Sequence, residues 1–117
     1  MKEREKMNPE QVAETWKLIV CVFLKTRETA PANTIREILK TGADPADLYE
    51  TFAVVTQIKK HDGRIYGENR KAMEAITVDP ECLVWERPNP VMKAGLDDIH
   101  PTHINQLITA LRKEVPR

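Results

Sequence analysis

Residues 8–24 read NPEQVAETWKLIVCVFL and decide the fold class. Asn8-Pro9 is typical of a helix start, where a capping side chain precedes a proline at the first helical position. Gln11 adds the amide of a capping box. The apolar residues that follow recur at helical spacing: Val12, Trp16, Ile19, Val20 and Phe23. This pattern predicts a helix. The β-branched residues within 16–24 leave a strand as the alternative.

The same start signal recurs along the chain, at Asp44-Pro45, Asp79-Pro80 and His100-Pro101. Apolar spacing predicts a second helix over residues 32–41 that ends at Gly42, and further helices over 44–60, 68–76 and from Pro101 onward. Residues 77–96 are the least regular, because prolines and a glycine interrupt them. The predicted core comprises the inward positions of these helices: Val12, Trp16, Ile19, Val20, Phe23, Ile35, Leu39, Leu48, Phe52, Val55, Ile58, Ile76, Ile104, Leu107, Ile108 and Leu111.

We therefore expect an all-α protein, a compact bundle-like or orthogonal domain of four to six short helices. Any strand is expected at residues 65–66 or 83–86, as a minor two-stranded element at most. The 117 residues fit a single domain, 1–117, since two independent cores would need a longer chain. Residues 1–7 and 115–117 are expected to be frayed.

Composition excludes several classes of function. The chain contains no serine, which rules out a serine nucleophile, and its four glycines do not cluster into a phosphate-binding loop. Its formal net charge is zero, so affinity for a polyanion would have to come from a local patch. No catalytic motif is recognisable, and no cofactor is expected.

The two cysteines make no disulfide framework, and Cys21 is expected to be a small core residue. No signal-peptide pattern is visible. The apolar run of residues 18–24 is far shorter than the ~20 residues that cross a bilayer. These observations predict a cytoplasmic protein without a membrane partner.

One segment interleaves basic and aromatic side chains, as surfaces that bind single-stranded nucleic acid or phosphate do. Its candidate residues are Lys59, Lys60, Arg64, Tyr66, Arg70 and Lys71. The ordinary alternative is a solvated helix end, where lysines interact favourably with the helix dipole. Weak nucleic-acid binding is therefore a secondary hypothesis.

A second cluster, Asp97, Asp98, His100 and His103, contains residue types that bind zinc or iron. However, His100 occupies the capping position of a predicted helix, and carboxylates before a helix start favour its dipole. We therefore predict no metal site.

The leading functional hypothesis is a non-enzymatic helical module that binds another protein or a second copy of itself. It rests on the first helix, whose apolar residues, widened by Leu18, Val22 and Leu24, cover more than the ~100° stripe of an ordinary surface helix. Such a helix either lies centrally or supplies a subunit interface.

Overall fold

In a computed structural model that describes residues 6–61, 67–78, 92–93, 96 and 99–116, the stretch that begins at Asn8 is a helix. This helix, α1, spans Pro9–Thr26. The Asn8 side chain accepts a hydrogen bond from the Gln11 backbone N–H at 2.9 Å, and the Gln11 side chain accepts one from the Asn8 N–H at 2.9 Å. The predicted capping box is confirmed, and the strand alternative is excluded.

Two more helices pack against α1: α2 spans Pro31–Lys40 and α3 spans Pro45–Lys60. Gly42 makes the turn between them with a φ of 89°, a conformation that glycine adopts without a steric penalty. The Asp44 side chain caps α3 by accepting the Ala46 N–H at 2.9 Å. Helix α2 starts one residue before the predicted boundary, because Pro31 serves as its first residue after an Ala30 N-cap.

The second half contains α4 (Gly67–Glu74), β1 (Thr77–Val78), β2 (Met92–Lys93) and α5 (Pro101–Glu114). The two strands pair antiparallel, with Thr77 opposite Lys93. Five helices are thus described, and the predicted all-α class is confirmed. The positions where we expected strands, 65–66 and 83–86, lie outside the described residues, as does the helix start predicted at Asp79-Pro80. The two strands lie at residues 77–78 and 92–93, so the location predicted for a two-stranded element is wrong. Pairing of such short strands depends on tertiary contacts rather than on the local sequence pattern.

Helix α1 lies at the centre of the fold, packed against α2, α3, α4 and β1. Trp16, Ile19 and Val20 are completely buried. Of the predicted core residues, all are buried except Leu39 and Ile108, which are half-buried and pack against the core. The core also takes in apolar residues that were absent from the predicted list, among them Ile38, Met73, Leu96 and Ile99.

This central location accounts for the wide apolar surface of α1. Its buried residues include Val22 on the widened side of the predicted stripe, and Leu18 and Leu24 are half-buried against the same core. Burial within one chain therefore explains the wide apolar surface of α1, and no second copy is needed to cover it. Among the helices described, none has the length and apolar character needed to cross a membrane.

Both ends of the described chain are held by α3. The Met7 backbone N–H donates to Glu50 Oε2 at 2.8 Å, and the Tyr49 hydroxyl donates to the Val115 carbonyl oxygen. These contacts fasten two residues that the sequence placed in frayed ends.

Candidate functional site

A groove of about 740 Å³ lies between α2 and α5. The start of α2 contributes Ala30, Pro31 and Ala32, and α5 contributes Ala110, which is 7% exposed. Because these side chains are small, the two helices leave open space between them. The groove exists because this part of the helix pair lacks bulky apolar residues to fill it.

One wall of the groove is a polar row along α5. Its members recur at intervals of three and four residues and are all exposed: Thr102, Asn105, Gln106, Thr109 and Lys113. The opposite side of the helix carries the buried residues Ile104, Leu107 and Leu111. Packing of that apolar side against the core therefore orients the polar row into the groove.

Charge is concentrated at one end of the groove. Arg36 of α2 and Glu114 of α5 form an ion pair there, with 3.0 Å between Nε and Oε1. Lys113 lines the same groove, and no described carboxylate lies within ion-pair distance of its ammonium group. This end of the groove therefore carries one net positive charge, whereas the remainder of the lining is uncharged.

The four described candidate residues of the basic segment lie on two helices. Lys59 and Lys60 lie in the last turn of α3, whereas Arg70 and Lys71 lie on α4, which packs against α1. Arg70 forms an ion pair with Glu74 at 2.9 Å. The other two candidates, Arg64 and Tyr66, lie outside the described residues.

Lys59 and Lys60 border a second, smaller cleft of about 250 Å³, closed on its other side by Pro101, Ile104 and Asn105 of α5. The Thr56 hydroxyl lies in its wall, buried and without a hydrogen-bond partner among the described residues. This cleft is below the size range of typical ligand pockets, about 300–1,000 Å³.

The histidines of the candidate metal cluster have structural roles. His100 is the N-cap of α5, and its Nδ1 accepts the Thr102 backbone N–H at 3.2 Å. The ring of His103 packs against Phe23, with 5.3 Å between ring centroids, and lies 6.4 Å from the His100 ring. Asp97 and Asp98 lie outside the described residues. Within the described ranges, no group of three or more metal-ligating side chains converges, and the absence of a metal stays a prediction.

Cys21 is 6% exposed, as expected of a small core residue, but it is disulfide-bonded rather than a free thiol. The sequence contains one other cysteine, Cys82, which lies outside the described residues. A buried, oxidised sulfur is not a nucleophile.

The groove has no signature in the local sequence pattern. The sequence of α5 shows polar residues on the side opposite its apolar residues, but every amphipathic surface helix has such a polar row. The distinguishing feature is that this row and the small residues at 30–32, about 70 residues away in the chain, line the same cavity. A local sequence pattern does not reveal which distant segments meet in the fold.

No family model, no curated protein and no solved structure shows significant similarity to this chain.

Proposed function

We propose that this protein is a non-enzymatic helical interaction module that binds a segment of another protein in the groove between α2 and α5. The observation that supports it is the groove itself. Its volume of about 740 Å³ lies within the range of binding pockets. Its lining combines small apolar side chains with uncharged hydrogen-bonding groups.

The lining of the groove favours binding over catalysis. Thr, Asn and Gln side chains donate and accept hydrogen bonds but are poor acids, bases and nucleophiles without an activating neighbour. The groove lining contains no histidine, cysteine or aspartate, and its one carboxylate, Glu114, is engaged with Arg36. A surface of this kind can recognise a polypeptide, whereas it lacks the paired titratable groups of a hydrolytic site.

Self-association and a cytoplasmic location, both expected from the sequence, gain no support from the described residues. The width of the α1 apolar surface no longer argues for a second copy, because α1 is central. The disulfide at Cys21 counts against a reducing compartment, since disulfides are rare in cytosolic proteins.

The test is affinity capture from the source cell extract with three baits: wild type, Thr109→Arg and Ala53→Arg. Thr109 is exposed in the groove, and within the described part of the chain its hydroxyl donates only to the Asn105 carbonyl of its own helix, so arginine there fills the groove without disturbing the core. Ala53 is exposed on α3 outside the groove, so its variant adds the same side chain as a matched control. Circular dichroism verifies that all three are folded.

We expect at least one protein to be retained by wild type and by Ala53→Arg and to be recovered about tenfold less with Thr109→Arg. Equal recovery of every retained protein on all three baits would contradict the proposal. Sedimentation velocity over a range of concentrations tests self-association in parallel.

A second candidate function is weak binding of nucleic acid, favoured by the placement of Lys59 and Lys60 together at one cleft. Five cations of the segment could contact at most about five phosphates, which limits the log–log salt slope on single strands to roughly −4. Fluorescence anisotropy with labelled oligonucleotides, comparing wild type with Lys59→Glu/Lys60→Glu/Arg64→Glu, measures it. Tight binding at physiological salt that the variant abolishes would favour this function over the interaction module, and we expect no such binding.

A further inference from the structure

The charge and length of the groove between α2 and α5 indicate the kind of segment that fits it. We infer that the partner presents an extended stretch of about five residues, uncharged along most of its length and with an Asp or Glu side chain at the Lys113 end. This inference rests on the proposed function and deepens it.

The length follows from helix geometry. The polar row runs from Thr102 to Lys113, eleven residues along α5. At a rise of 1.5 Å per residue this row is about 16 Å long. An extended chain advances about 3.3 Å per residue, so about five residues span the row.

Hydrogen bonding favours an extended backbone. The side chains of Asn105, Gln106 and Thr102 are exposed along the row and supply both donors and acceptors. An extended segment carries unpaired N–H and C=O groups that these side chains can satisfy, whereas a helical segment satisfies its own. The small residues of α2 let the backbone approach closely.

Charge determines the end at which the acidic residue lies. Glu114 neutralises Arg36 at 3.0 Å, and Lys113 adds one further positive charge beside that pair. A basic residue in the segment would be repelled there, and an apolar residue would cover the ammonium group without replacing its hydration. A carboxylate forms a charge-assisted hydrogen bond with Lys113 and compensates for the lost water.

The experiment is selection of random peptides displayed on phage against wild-type protein, with removal of peptides that also bind Thr109→Arg. Enriched sequences are then synthesised and their affinities measured for wild type, Lys113→Glu and Arg112→Glu. Arg112 is the exposed neighbour of Lys113 on the same helix but does not line the groove, so its variant makes the same charge change outside the site.

We expect the enriched peptides to share an Asp or Glu at one end. Lys113→Glu should weaken their binding about tenfold, with a loss of salt dependence, and Arg112→Glu should change it less than threefold. If the enriched peptides bind wild type and not Thr109→Arg but share no Asp or Glu, the inference would be overturned and the proposed function would stand. If no peptide remains enriched after those that bind Thr109→Arg are removed, both the inference and the assignment of the groove would be overturned.

Discussion

Arg36 and Glu114, which are 78 positions apart in the chain, form an ion pair between α2 and α5 across one end of the groove. Their side chains are 56% and 28% exposed, so water and salt screen the attraction. Exposed pairs of this kind contribute about 0.2–1 kcal/mol to stability. The ion pair therefore serves to neutralise charge in the groove rather than to hold the helices together.

The first prediction follows from this exposure. A double-mutant cycle with Arg36→Gln and Glu114→Gln, measured by urea unfolding, should give a coupling free energy below about 1 kcal/mol. The buried contacts between α2 and α5 remain in every variant, so the transition should stay cooperative. A coupling above about 2 kcal/mol would mean that the pair is a structural link.

The second prediction concerns the core of α3. Phe52 is 1% exposed, and replacement by alanine removes its ring contacts and leaves a cavity. Phe52→Ala should lower the free energy of unfolding by about 3–5 kcal/mol. The neighbouring Ala53 is exposed, so Ala53→Ser should change the same quantity by less than about 0.5 kcal/mol. Similar small effects at both positions would contradict the described orientation of α3.

A third prediction tests the unusual cap of α5. Since the Nδ1 atom of His100 accepts the Thr102 N–H, His100→Ala should leave that donor without its intramolecular partner and cost about 0.5–1 kcal/mol. Asparagine is a strong N-cap, so His100→Asn should be at least as stable as wild type. Gln106→Ala on the exposed row of α5 is the control. If His100→Ala and His100→Asn melt at the same temperature, His100 does not act as a cap.

The fourth prediction concerns the oxidised Cys21. Protein isolated without reductant and then denatured should resist alkylation by iodoacetamide, and prior reduction should make both cysteines reactive. Because a disulfide restricts the unfolded chain, reduction should also lower stability, by about 2–4 kcal/mol. Alkylation of the unreduced protein at both cysteines would show that the bond is absent and would restore the expectation of a reducing compartment.

Sequence patterns predicted the local features of this fold well. Two examples are the capping box of Asn8 and Gln11 and the helix end at Gly42. Each involves residues that are close together in the chain, so a short stretch of sequence is enough to predict it. Helical spacing also identified most of the core. It failed at Leu39 and Ile108 because both lie at the border of an apolar face, where burial depends on the neighbouring element.

The features that sequence patterns missed all depend on contacts between distant segments. The pairing of Thr77 with Lys93 has no local signature, and neither does the disulfide at Cys21. The groove has no local signature either, because Ala32 and Thr109 are far apart in the chain and yet line one cavity.

The most direct test of the groove as the binding surface is an NMR titration of ¹⁵N-labelled protein with the most enriched groove-dependent peptide. We expect the largest changes in amide chemical shift at Ala32, Gln106, Thr109 and Lys113, and little change at Lys59, Lys60 and Arg70. Large changes confined to the ends of α3 and α4, with the groove amides unmoved, would contradict this expectation.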